Sequence, residues 1–430
     1  MSVGLLAAAC AADEQVSDNA VAPGEGLTAF VGGRIIDGTG ADPIDDGVLL
    51  VRDGRIEAVG SSAEVSIPEG SERVELSGKT VFPGLINTHG HVGDTAGLEA
   101  GHYSEQNVLD HLALYARYGI TTVNSLGGGQ ALAADVRAAE SSLDLDRARL
   151  MFSGPVVTAT TPEEATTQVD EIAAMEPDFI KIRVDDNLGT TSKMSPEVYG
   201  AVIEAAHAHE LPLASHLFYL DDAKGLLAAG TDFVAHSVRD QPVDDELIDA
   251  LIENDVCYSP TLTRELSTFV YEERPEFFDD PFFLADADAD VTAALEDPER
   301  QARYRGSGPT AYKVALQMAM ANLKAVSDGG ATVAMGTDSG PPARFQGYFE
   351  HLELELMAES GLTPMQILVA STSDAARCIG RDDIGTLQPG KAADFVVTTE
   401  NPLDDIVNAR TIESVWISGN RVPRDGDGSR

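Results

Sequence analysis

Cysteine is nearly absent: residues 10, 257 and 378 are the only three, too few and too scattered for a disulfide framework or a cysteine-based zinc site. Lysine is almost as scarce, with seven among 29 basic residues, at positions 79, 181, 193, 224, 313, 324 and 391. Any lysine inside a core strand therefore calls for a reason. Aspartate and glutamate total 71, and the formal net charge of -42 would repel a phosphate backbone, with no basic patch to overcome the repulsion. Nucleic acid is a poor partner for such a chain. No apolar run reaches the length of a transmembrane segment. What the chain does have is a normal hydrophobic fraction, 43% of 430 residues, enough for more than one core and against disorder as the explanation of so much charge. The acid belongs on surfaces. With lysine rather than arginine depleted, it fits a halophilic protein, kept soluble where salt screens self-repulsion.

The opening MSVGLLAAAC, followed by the acidic AADEQVSDNAVAPGEG, resembles the end of a bacterial lipoprotein signal with Cys10 as the lipidated residue, although a basic n-region is missing and the apolar run is short. Residues 1–27 are read as a leader: a complete or clipped export signal, with a lipid anchor at Cys10 and a periplasmic or cell-envelope location, or else an ordinary leader on a cytoplasmic protein.

From 28 to 85 short alternating strands and turns predict a small β unit, with Asp53-Gly54 as a hairpin turn. A matching piece returns at 386–424, so the two ends are expected to form one β-sandwich domain with the middle inserted. Between them, residues 86–385 alternate eight apolar strands (LINTHGH, ITTVNSL, ARLMFSGPVV, DFIKIRV, LPLASHL, DFVAHSV, DVCYSPTL, ATVAMGTDS) with amphipathic helices, which predicts an α/β fold, a (β/α)8 TIM barrel. An insertion of residues 262–308, rich in acid and aromatics, separates the last two strands and reads as a lid or wall over the mouth.

Side chains at the C-terminal ends of barrel strands converge on one mouth. His89 and His91 end the first strand, Lys181 lies in the fourth, His216 and His236 end the fifth and sixth, and Asp338 ends the eighth. Two residues apart in extended chain, His89 and His91 share a face and suit one metal ion. Lys181 sits among Phe179, Ile180 and Ile182, where an unmodified ammonium would be costly. Carboxylated by carbon dioxide, it would become an anionic carbamate able to bridge two ions. Singly, each residue has a plainer reading: a structural histidine, a lysine snorkelling to the mouth, an aspartate capping a turn. Six together at the same strand ends are hard to obtain by chance.

These motifs, with VFPGLINTHGH, FIKI, SHLFYLDDAKGLLAAGTDFVAHS, MGTDSG, EHLELELMAESGLTPMQILVASTSDAARCIG and GTLQPGKAADFVV, resemble the metal-dependent amidohydrolases, in particular the imidazolonepropionase-like and prolidase-like branch, which also holds aryldialkylphosphatase-like enzymes. The resemblance implies two divalent ions, with zinc foremost: one on His89, His91 and Asp338, the other on His216 and His236, bridged by N-carboxylated Lys181 and a hydroxide. Relatives in this branch often carry a second fifth-strand histidine where Phe218 stands, so Phe218 is read as pocket wall. The missing glutamate beside His216 argues against a mononuclear deaminase.

The implied reaction is hydrolysis of a C–N amide bond in a small substrate (a dipeptide, an N-acyl amino acid or a cyclic amide) by hydroxide attack. Asp338, ligating through one oxygen and free at the other, would shuttle the proton. Arg183 and Arg264 are candidate carboxylate holders, Tyr219, Tyr258 and the lid phenylalanines candidate apolar flanks, and His351 a candidate substrate contact; each arginine could equally form a surface ion pair. A lactonase or phosphotriesterase on the same metals, a deaminase, and a noncatalytic binding barrel are the alternatives. An oligomer of identical subunits is expected.

Overall fold

The computed structural model describes residues 24–142 and 144–423; Cys10 and residues 1–23 of the expected leader lie outside them. Strand β1 (Leu27–Ile35) pairs antiparallel with β2 (Ile44–Arg52), and β2 with β3 (Arg55–Ser61). Asp53 and Gly54 turn the β2–β3 hairpin at φ 48° and 73°, the positive values that a two-residue turn between right-twisted strands requires. β4 (Glu72–Glu75) and β5 (Thr80–Pro83) run parallel to β1.

The chain then enters the barrel. β6 (Leu85–Gly90), β7 (Ile120–Ser125) and β8 (Arg149–Phe152) are mutually parallel, as are β9 (Ile180–Arg183), β10 (Leu213–His216), β11 (Phe233–Val234) and β12 (Cys257–Tyr258). A bridge from Val157 to Ile182 joins the two groups, and residues 331–339 form the closing stave through bridges Tyr258–Val333 and Gly90–Ser339. The result is a (β/α)8 barrel whose strands are buried almost throughout, as parallel strands covered by helices must be. Side-chain caps start its outer helices: Ser104, Thr161, Ser195 and Asp244 accept backbone N–H groups of Glu105–Arg117, Pro162–Ala173, Pro196–Ala208 and Asp245–Glu253.

Beyond the barrel, β13 (Phe395–Thr398) pairs antiparallel with β5, followed by β14 (Ile412–Ile417) and β15 (Asn420–Arg421). The strands before and after the barrel thus share one eight-stranded sheet, in the order β15-β14-β13-β5-β1-β2-β3 with β4 on β1. Alternation along β1 sends Phe30 to one apolar cluster, with Leu49 and Phe395, and Ala29 and Val31 to another, with Val48 and Leu50.

Three of the lid aromatics are committed to packing: Tyr271, Phe278 and Phe283 are buried, with Phe283 against Phe345 at 4.9 Å and the Tyr271 hydroxyl donating to the Ala343 carbonyl at 2.6 Å. Burying these rings anchors the insertion on the loop after the eighth strand. Cys257 and Cys378, 121 residues apart, form a disulfide with Cα atoms at 5.9 Å. It is a single bridge rather than a framework, tying the start of β12 to the end of helix Ser373–Cys378. Among the described residues no helix is long and apolar enough to cross a membrane.

Candidate metal centre and active site

Strand ends bring His89, His91, Lys181, His216, His236 and Asp338 together. His89, His91 and Asp338 present ligand atoms that all lie within 4.8 Å of one another, a group able to hold a metal ion. His91 Nε2 meets Asp338 Oδ1 at 2.7 Å, and His89 Nε2 lies 3.8 Å from the same oxygen. Lys181 does not snorkel to solvent; it is buried, with Nζ 3.3 Å from His89 Nε2. The His236 ring stands 4.6 Å from His89 and 4.1 Å from His216.

Each imidazole has one nitrogen turned away from this group and already engaged. His89 Nδ1 reaches the Ala235 carbonyl at 2.7 Å, His91 Nδ1 the Gly127 carbonyl at 2.9 Å, and His236 Nδ1 the Thr261 hydroxyl at 2.7 Å. His216 is turned the other way: its Nε2 is held by Asp185, which leaves Nδ1. Such outer partners fix ring orientation and tautomer.

Burial dominates the electrostatics. It lowers His89 and His236 well below the ordinary imidazole range and His216 to about 3, so these rings are neutral and able to ligate. It also brings Lys181 down to about 7, against an opposing pull from Asp338. Burial alone would raise Asp338, but Arg344 and the histidine contacts outweigh it and hold the carboxyl well below its usual range. Here the structure corrects the sequence reading. The second oxygen of Asp338 is not free: Arg344 Nη1 sits 2.6 Å from Oδ2 and also donates to the Asp338 carbonyl at 3.2 Å.

Sequence reasoning also missed Glu350. Asn87 Nδ2, the Thr337 hydroxyl and the Ser339 hydroxyl all donate to its Oε1, at 2.7, 2.7 and 2.5 Å, and the Gly347 N–H donates to Oε2 at 2.6 Å. Asn87 Oδ1 in turn accepts the His89 N–H at 3.0 Å. One buried carboxylate therefore ties the first strand to the segment bearing Asp338, which sits at φ 57°. The available signal was acidic residues, Glu350 and Glu353, interleaved with Phe349, Leu354 and Met357 on one helix.

The candidate substrate residues divide. Phe218 and Arg264 are buried near the mouth, the Arg264 guanidinium 4.7 Å from the Tyr312 ring centroid, and the Tyr312 hydroxyl reaches Asn187 Oδ1 at 3.4 Å. Arg183 lies at the rim, 46% exposed, with Nε and Nη2 on Asp185 Oδ1 at 3.2 and 3.0 Å. The Tyr219 hydroxyl donates to Asp186 at 2.7 Å, and Lys193 lies over its ring. Tyr258 and His351 have structural partners instead: the Tyr258 hydroxyl accepts the Val238 N–H at 2.9 Å, and His351 Nε2 bonds the Tyr118 carbonyl at 2.8 Å beneath Phe282.

The Amidohydrolase family model matches residues 80–422. Imidazolonepropionases from Geobacillus sp. (strain WCH70) and Haloarcula marismortui are each 27% identical, over 82% and 86% of this chain and 84% and 88% of their own. Among solved structures, a prolidase candidate from Bifidobacterium longum superposes with a TM-score of 0.76 at 26% identity, covering 94% of this chain and 96% of that one. A Xaa-Pro dipeptidase with bound methionine shares the fold, with a TM-score of 0.74 at 21% identity over 92% of this chain and 99% of its own. With the histidine–aspartate group at the barrel mouth and a family match over most of its length, the chain belongs to the amidohydrolase family and is a metal-dependent hydrolase.

Proposed function

We propose that this enzyme hydrolyses the C–N amide bond of a dipeptide, N-acyl amino acid or cyclic amide at a centre of two divalent ions, with zinc foremost. In this reading His89, His91 and Asp338 would hold one ion and His216 and His236 the other, with N-carboxylated Lys181 supplying a further anionic ligand. The observation that carries it is the pattern at the imidazoles: all four have one nitrogen engaged outward, through Ala235, Gly127, Asp185 and Thr261, and the inward nitrogens of His89 and His91 meet Lys181 and Asp338, the other members of the proposed ligand set. A donor set of neutral imidazoles and carboxylate suits zinc. Lys181 supports the bridge, because a pKa of about 7 populates, near neutrality, the neutral amine that can add carbon dioxide.

Bound there, the ions would lower the pKa of a water and polarise the scissile carbonyl. The chain's own residues supply the rest. Asp338 would take the water proton at Oδ2, on the lone pair not engaged by Arg344, and pass it to the leaving nitrogen. Arg344, 2.6 Å from that oxygen, weakens it as a base and so favours release of the proton to the amine. Phe218 and Tyr312, 6.4 Å apart, shield the mouth from water.

The test is metal content per chain, together with a screen of metal-replete enzyme over N-acyl amino acids, dipeptides, cyclic amides, lactones and phosphotriesters, with products identified by mass. Lys181→Ala is expected to lower bound zinc from two ions to about one and to abolish the carbamate signal in 13C NMR after labelling with 13C-bicarbonate. Turnover confined to lactones or phosphotriesters would replace the amide reading, and a protein that binds no metal on reconstitution would end it. The same reading includes a halophilic surface, an oligomer of identical subunits, and export, which the Cys257–Cys378 disulfide supports because such bridges persist in oxidising compartments.

A further inference from the structure

A polar cavity lies at the other end of the barrel from the metal centre. Arg149 opens β8, so it stands at the N-terminal rim, and there a space of about 250 Å³ opens between the barrel, the β2–β3 hairpin turn and the loop after helix Ser373–Cys378. Glu140 and Arg149 line it from the barrel, Arg381 and Asp383 from the loop, and the exposed Asp53 and Arg55 from the hairpin.

The hydrogen bonds decide what this space can hold. Arg149 is 5% exposed; its Nε and Nη2 donate to the two oxygens of Asp394, both at 3.0 Å, and Nη2 also to the Ser418 hydroxyl at 2.8 Å. Arg381 donates from Nε and Nη2 to the two oxygens of Asp383, at 2.7 and 2.9 Å. Each aspartate thus cancels the charge of its arginine and has both oxygens engaged. Nη1 of Arg149 and Nη1 of Arg381 have no partner among the described residues. Glu140 is the third acid. Its Oε1 accepts the Leu150 N–H, and its Oε2 has no partner among the described residues. Burial raises this carboxyl to about 7, with Asp178 acting the same way and Arg149 and Arg381 opposing. Near neutrality Glu140 is therefore a donor as often as an acceptor. At the rim, Arg55 is turned to the Gly390 carbonyl at 2.8 Å. The cavity faces more N–H groups than acceptors, and a buried guanidinium N–H without a partner is best met by an oxygen-rich anion.

We infer that Arg149, Arg381 and Glu140 form a second site, apart from the metal centre, that takes up a small oxyanion together with a proton on Glu140. The anion accepts from both Nη1 groups. Its charge disfavours an ionised carboxylate beside it, so Glu140 stays an acid and donates its own O–H to the anion. The aspartates balance the arginines with or without the ligand, so hydrogen-bond complementarity and the incoming proton, rather than an excess of positive charge, favour binding. An occupant braces the seam between barrel and sheet, because Arg149 belongs to β8 while Asp394 and Ser418 flank β13 and β14.

The experiment is calorimetric titration of the zinc-replete enzyme with sodium sulfate, a dianion at every pH used, at pH 6 and pH 8 and constant sodium concentration. A carboxyl with its midpoint at about 7 is about nine-tenths protonated at the first pH and about one-tenth at the second, so the wild type is expected to bind sulfate about tenfold more tightly at pH 6. Glu140→Gln, neutral throughout and still a donor, should bind at pH 8 as tightly as the wild type does at pH 6, a gain that misfolding cannot produce. Arg381→Gln should weaken binding at least tenfold with zinc content unchanged. A wild type that binds no sulfate at pH 6 overturns the proposal. So does binding untouched by Arg381→Gln, which would place the anion elsewhere, the metals included, and a Glu140→Gln protein that keeps the wild-type pH dependence overturns the coupled proton.

Discussion

Glu350 touches none of the proposed metal ligands through its side chain, yet its removal should loosen the centre. In Glu350→Ala the side-chain donors of Asn87, Thr337 and Ser339 and the Gly347 N–H lose their shared acceptor. A buried donor left without a partner costs about 1–3 kcal/mol, and hydroxyls can rotate toward other acceptors, so the loss should be about 3–6 kcal/mol. That is a large part of the stability of an ordinary domain. Glu350→Gln keeps one oxygen and turns an amide toward Gly347, and should cost about 1–3 kcal/mol. The functional consequence follows from position: Asn87 supports the His89 backbone, and Thr337 and Ser339 flank Asp338. Zinc affinity should fall by about 10–100-fold, as it does when outer partners of ligands are removed. Urea unfolding gives the stability term, and competition with a chelator gives the affinity. A Glu350→Gln protein that unfolds and binds zinc as the wild type does would refute the claim that this carboxylate holds the two ligand segments in register.

Asp338→Asn should keep most of the bound metal and lower kcat by about 10²–10⁴-fold; an unchanged kcat per bound metal would remove Asp338 from the proton path. Reducing Cys257–Cys378 opens a crosslink spanning 121 residues and should cost about 2–4 kcal/mol in thermal or urea unfolding, with zinc stoichiometry preserved because the bridge lies at the start of β12, away from the ligand end. Burial raises Glu140 to about 7, against the Leu150 N–H, Arg149 and Arg381, which all favour its charged form. The folded state therefore holds its proton more tightly than the unfolded chain. The stability from this group is complete below its ordinary value of 4.5 and lost as pH rises to about 7. Glu140→Gln should accordingly be the more stable protein at pH 8, by at most about 2 kcal/mol, and equal to wild type near pH 4; the opposite ordering in pH-dependent melts would contradict this.

Six of the centre's residues were legible because they obey local rules. Alternation in extended chain puts His89 and His91 on one face, and the ends of parallel barrel strands converge whatever their separation in sequence. The same logic failed for Tyr258 and His351. A tyrosine at a strand end and a histidine after the eighth strand look available in sequence, but the Val238 N–H and the Tyr118 carbonyl claim them first. Of the lid aromatics, Tyr271, Phe278 and Phe283 are claimed by packing, because rings in an aromatic-rich insertion gain by burying one another.

The sequence by itself determined the fold class and the family, since hydrophobic periodicity and strand-end chemistry are written in short stretches. Tertiary structure alone decided which nitrogen of each histidine remains for a ligand, that Arg344 takes the second oxygen of Asp338, that Glu350 links two distant segments, and that Cys257 meets Cys378. Each of these depends on contacts between residues tens to hundreds of positions apart, for which no local pattern exists.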